Sequence, residues 1–209
     1  MNETNLHNGV LMRIDEATSN QVVGIGTRYP IAEFLREATT EMLRTAPLEL
    51  LPLTDFSDGK LEDLGDGSGT VVLPEGFVRL ASFRMRGWLR PVLRAIGTEG
   101  PTFARQLNPV TRGGIAKPVA ALVPGAEGMK LRWFSLPPGW RREVAEALCV
   151  VRTEPSDMPD MLADPLCWLT AAMVLSVTGE PQAAEAARQR YDLSMGLLRG
   201  GAPATPNEE

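Results

Sequence analysis

Apolar residues at Ile31, Phe34, Leu35, Ala38, Met42 and Leu43 recur at intervals of three and four. That spacing stacks them on one face and predicts a helix over Ile31–Thr45, opened by Pro30 and stopped by Pro47 and Pro52. Leu48, Leu50, Leu51 and Leu53 are expected to follow in extended form across a core. The period then changes from helical to strand-like. Within Phe77–Met85, Ala81, Phe83 and Met85 alternate with Ser82, Arg84 and Arg86, as in a half-buried strand. Gly87 breaks this strand, and residues 88–92 are predicted to return as its partner. A short helix carrying Phe103 and Leu107 is expected over 99–108. Strands over 119–123 and 129–134 flank the turn sequence PGAEG, and Met129, Leu131 and Trp133 give the second strand an apolar face. Residues 147–151, nearly all apolar, are expected to form a central last strand.

The chain closes with two helical patterns. Leu162, Leu166, Leu169, Met173 and Val177 mark a buried stripe; Asp164-Pro165 supplies a cap and a first-turn proline, and Gly179 the stop. Pro181 starts the second helix, whose inward face is Ala184, Ala187, Tyr191, Met195 and Leu198. The alanines permit close antiparallel approach. The fold expected is therefore α+β: a helical bundle formed by the N- and C-terminal helices with an inserted small antiparallel β domain. Its parts are an extended arm over 1–29, bundle segments over 30–53 and 156–199, a β domain over 54–155, and a disordered tail over 200–209.

Between these elements lie polar stretches. Residues 1–29 are glycine-dotted and weakly periodic. Gly24-Ile25-Gly26 lacks the third glycine of a dinucleotide loop, Tyr29 standing there, and no βαβ unit surrounds it. Residues 54–70 carry Asp55, Asp58, Glu62, Asp63 and Asp66 without the alternating oxygens and final Glu of a calcium loop, so a solvated connection is expected. Residues 111–117, TRGGIAK, read as a flexible loop with two cations.

Composition narrows the function classes. A net charge of −5 among 209 residues argues against bulk nucleic-acid binding. The N-terminus has neither the basic nor the apolar segment of a secretory signal, and no apolar run of about 20 residues is evident. The two cysteines, Cys149 and Cys167, lack metal-ligand spacing and are expected as buried free thiols in a reducing compartment. A single histidine, His7, supports neither a Ser-His-Asp triad nor a histidine-based zinc site. No catalytic, cofactor or metal residues are assigned.

Two stretches carry a resemblance. Leu73-Pro74-Glu75-Gly76-Phe77-Val78-Arg79-Leu80 is similar to the "LP-x-DF-(L/V)-R" strand start of the head-to-tail adaptor (tail tubular or connector) proteins of tailed bacteriophages, with Gly76 where that pattern has Asp. Residues 163–172 and 183–191 resemble the closing helices of the same family. The resemblance, spanning roughly residues 30–198, implies a non-enzymatic virion protein at the head–tail junction, assembled in the bacterial host cytoplasm. It implies about a dozen copies in a closed ring, with the portal protein and tail or nozzle proteins as partners and DNA crossing without sequence-specific binding. No cofactor and no membrane enter. Arg86, Trp88, Arg112, Lys117 and Trp140 are the candidate assembly-interface residues, cations and aromatics of the β domain. The alternative is an intracellular or carbohydrate-binding β module without catalytic activity, using Trp88, Trp133 and Trp140 as stacking platforms.

Overall fold

The computed structural model describes residues 1–18, 30–126, 128–137 and 139–200. It is an α+β protein whose chain divides into two compact units, Met1–Pro52 with Thr153–Glu209, and Leu53–Arg152. Gly24-Ile25-Gly26, Tyr29 and the tail after Gly200 lie outside the described residues.

Among the described residues the first unit is built on four α-helices: α1 (Glu3–Ala17), α2 (Ile31–Thr45), α4 (Ala163–Thr178) and α5 (Pro181–Leu198). In α2 the predicted face is the buried one, with Ile31, Leu35, Ala38, Met42 and Leu43 inside. The central helix is α4, which packs against α1, α2 and α5. Ten of its residues are buried, so it has no single stripe, although Met173 is half-buried and Val177 exposed. Being surrounded is what makes residues Asp160–Thr178 apolar enough, at mean hydropathy 1.5, to match a membrane span by length and composition. α4 ends as predicted on Gly179, in the left-handed conformation at φ 85°. On α5 the buried residues are Ala187, Tyr191 and Met195.

Three expectations for this unit are corrected. The arm is in part a helix, α1, whose Leu6, Val10 and Ile14 are buried. Their spacing of four gives a narrow stripe, and Asn5, Asn8 and Gly9 are weak helix formers, so tertiary packing carries it. Gly9 is itself a packing device, since a Cβ there would stand 2.8 Å from Cys167 Sγ. Residues Leu48–Leu50 form a 3-10 turn rather than an extended run, and of the four leucines only Leu51 is buried. Asp164 is not a helix cap. Leu162 holds that position, and the Asp164 carboxylate instead accepts from Arg13 at 2.7 Å and Ser194 at 2.9 Å, tying α1, α4 and α5 together.

The second unit contains β1 (Thr54–Asp55), β2 (Leu61–Asp63), β3 (Gly69–Val72), β4 (Phe77–Met85), α3 (Pro101–Leu107), β5 (Ala120–Gly125), β6 (Gly128–Trp133) and β7 (Val144–Val151). Two antiparallel sheets form, in the orders β1-β7-β4 and β2-β3-β6-β5. Both contribute to one core that includes Val71, Leu80, Phe83, Met85, Leu131, Trp133, Ala147 and Cys149. β7 is central in its sheet, and β5 and β6 form the expected hairpin. Along its length β4 pairs with β7. The expected return of residues 88–92 beside β4 is reduced to one antiparallel bridge, Phe83 with Val92, since Pro91 cannot donate to a ladder. Three register shifts along β4 twist its pairing, which blunts an otherwise open edge. The acidic residues of 54–70 make local turns: Asp55, Asp63 and Asp66 accept from the amides of Ser57, Gly65 and Ser68.

Candidate assembly surfaces

Two of the five interface candidates meet at one edge of the β unit. Arg86 is exposed, its amide donates to the Glu143 carbonyl at 2.8 Å, and its Nε pairs with Glu143 at 3.1 Å. Gly87 follows at φ 92°, and the Trp140 ring occupies the space that a Cβ at position 87 would need. Glycine is required there twice over, for the backbone and for the ring. Trp140 is 43% exposed, so one face rests on the turn and the other meets solvent.

Trp88 does not join them. Its amide donates to Met85 at 3.0 Å, which folds the indole back beneath β4, edge-on to Phe83 at 5.8 Å and only 3% exposed. It is a core residue and cannot serve as an interface in the folded chain. Trp133 is wholly buried as well. The three-tryptophan glycan platform therefore fails, because two of its rings supply core area.

Arg112 and Lys117 lie beyond α3, and the first is not a free cation. Its guanidinium donates to the Asp66 carbonyl at 2.7 Å and to the Asp66 carboxylate at 3.2 Å, leaving the side chain 8% exposed. The Ser68 hydroxyl, followed by the Ser68 amide and Arg112, holds the Asp66 carboxyl below its usual range. Far from being slack, the loop is pinned elsewhere too. Asn108 Oδ1 accepts from the Val110 amide, the Asn108 carbonyl from Thr111 and Arg112, and Gln106 Oε1 from Gly113. Lys117 is exposed, its amide donating to Gly114 at 3.0 Å.

What this pinned loop presents is Val110, 90% exposed, with Leu107 and the cation Arg105 also outside. Sequence reasoning passed over Val110. Its signal is an apolar residue between Pro109 and a glycine pair, where a loop would ordinarily be polar.

A second surface lies on the helical unit, where α2, α4 and α5 enclose a groove of about 500 Å³. Phe34, Met173, Val177 and Ala184 give it apolar walls, and Glu37, Glu41 and Glu185 stand along it. Glu41 is neutralised by Arg188 at 2.9 Å, whose guanidinium also lies over Tyr191. Glu37 and Glu185 have no ion pair among the described residues, so the groove keeps an uncompensated negative field. Phe34, assigned to the core by its spacing, is only partly buried and serves as wall.

Reactive chemistry is not concentrated at either surface. Burial pushes both thiols, Cys149 and Cys167, up to about 11. Thiolate nucleophiles are thereby disfavoured near neutral pH. His7 lies exposed on α1, and no cluster of three His, Cys, Asp or Glu side chains suited to a metal occurs among the described residues. The arrangement can bind by apolar contact and charge. No protein-family model matches the chain, and no curated protein is significantly similar to it.

Proposed function

We propose that this chain is a ring-forming head-to-tail adaptor that links the portal to the tail of a tailed bacteriophage, with the helical unit as bundle and the β unit inserted into it. The observation that carries the reading is the threading of the chain: residues Met1–Pro52 and Thr153–Glu209 make one compact unit and Leu53–Arg152 another. A ring subunit needs two different adhesive surfaces, because closure uses heterologous contacts. The acidic apolar groove and the pinned loop tip supply such a pair. Arg86 and Trp140 add a further exposed edge for a neighbour or for the portal.

The test is co-assembly with the portal protein encoded by the same genome, followed by electron microscopy and native mass spectrometry. A ring of the chain seated on the portal supports the proposal. A chain that stays monomeric and never co-sediments with portal or tail proteins refutes it.

A further inference from the structure

The loop that follows α3 and the acidic groove of the helical unit are complementary in chemistry, and we infer that they are the two halves of one contact between successive copies of this chain: the Val110 tip of one copy seats in the groove walled by Phe34, Met173 and Val177 of the next. This inference rests on the ring reading for its geometry, although the contact itself can be tested without a portal.

The donor side is a built knob. Val110 is 90% exposed, yet its amide donates to Asn108 Oδ1, and bonds donated by Gly113 to Gln106 and by Arg112 to Asp66 hold the backbone that follows it. An apolar side chain held rigidly in water loses little entropy on docking, which favours association. Cations accompany it, since Arg105 and Lys117 are both exposed and no ion pair engages either among the described residues. Opposite charge waits on the acceptor side, where Glu37 and Glu185 have no ion pair among the described residues, and Val177 is 66% exposed beside Met173. Occupancy would cover Val177 and give those carboxylates partners, while Val110 would leave water. Knob and groove are different surfaces, so each copy can engage one neighbour through its knob and another through its groove, as a closed ring needs. A two-fold dimer would instead join two copies by a reciprocal pair of such contacts, and a ladder from the double variant separates the two arrangements.

Disulfide trapping reads this contact directly. Val110→Cys and Val177→Cys are made separately in the full chain, mixed at high concentration and oxidised with glutathione disulfide, which leaves as two glutathione thiols. The native thiols give little background, since Cys149 and Cys167 are buried. A mixed disulfide dimer is expected, at least tenfold above that from Met129→Cys paired with Val177→Cys, a control outside both surfaces. The double variant should give a ladder of linked oligomers. Glu37→Lys combined with Glu185→Lys should cut the yield about tenfold, and rising salt should lower it as charges are screened. Circular dichroism confirms that each variant is folded, and Val110→Asp, at a fully exposed site, gives an independent loss of association. No mixed dimer, or a yield equal to the Met129→Cys control, overturns the contact. Rings on the portal that lack this disulfide would reject the contact and leave the ring reading standing. A disulfide ladder without rings would do the reverse.

Discussion

Leu169 sits at the middle of α4, wholly buried where the helix packs against α1, α2 and α5. Replacing it with alanine deletes three carbons, worth about 2.4 kcal/mol at roughly 0.8 per buried methylene. Neighbours on all sides hinder collapse, and a residual cavity of about 50 Å³ adds about 1.2 kcal/mol at roughly 24 cal/mol per Å³. The expected loss is therefore about 3–4 kcal/mol. For a chain of this length it lowers the melting temperature by about 6–16 °C, at roughly 2–4 °C per kcal/mol. Urea unfolding followed by circular dichroism at 222 nm reads mainly the relevant unit, because among the described residues every α-helix except α3 belongs to it. Val177→Ala, on the same helix but 66% exposed, is the internal control and should stay within about 0.5 kcal/mol. A Leu169→Ala loss below about 0.5 kcal/mol, or equal losses for the two variants, would refute the packing argument and with it the central position of α4.

Four further outcomes follow from particular residues. Deleting residues 1–17 should destabilise the helical unit by several kcal/mol, since Leu6, Val10 and Ile14 leave the core; an unchanged 222 nm transition would return this segment to the status of an arm. Arg112→Ala should speed amide exchange across residues 108–113 at least tenfold, because two bonds to Asp66 are lost. Acidification should act likewise: the folded Asp66 value is depressed, so its contribution is present above the unfolded value near 3.8 and fades as pH falls through the folded one. An exchange rate unaffected by Arg112→Ala would show that the loop is held otherwise. At the alkaline end, the raised thiols make a contribution that is whole below the unfolded value of 9.0 and is lost as pH rises towards about 11; Cys149→Ala with Cys167→Ala should flatten the pH profile of stability in that window, and an unflattened profile would count against the shift.

The sequence alone determined the elements whose signal is local. Helix α2 was legible because its apolar residues keep a strict three-and-four spacing between prolines, and β4 because its alternation runs to Met85 before Gly87. The hairpin of β5 and β6 and the Gly179 stop were legible for the same reason: turn residues act on their own neighbours. What tertiary structure decided is partnership. Helix α1 carries too few apolar residues to announce itself, and it exists by burying three of them while Gly9 lets Cys167 approach. The pairing of β4 with β7 joins Met85 to Val144 and Phe77 to Val151, residues far apart in the chain, which no local pattern encodes. At the candidate surfaces the same limit applied. Residue type nominated Arg86, Trp88, Trp140 and Arg112 alike, and could neither separate Trp88 in the core from Trp140 outside nor reveal that Arg112 is spent on Asp66. Residue chemistry is written along the chain, whereas exposure belongs to the folded surface; Val110 shows the difference, an ordinary valine in sequence made a presented knob by the hydrogen bonds around it.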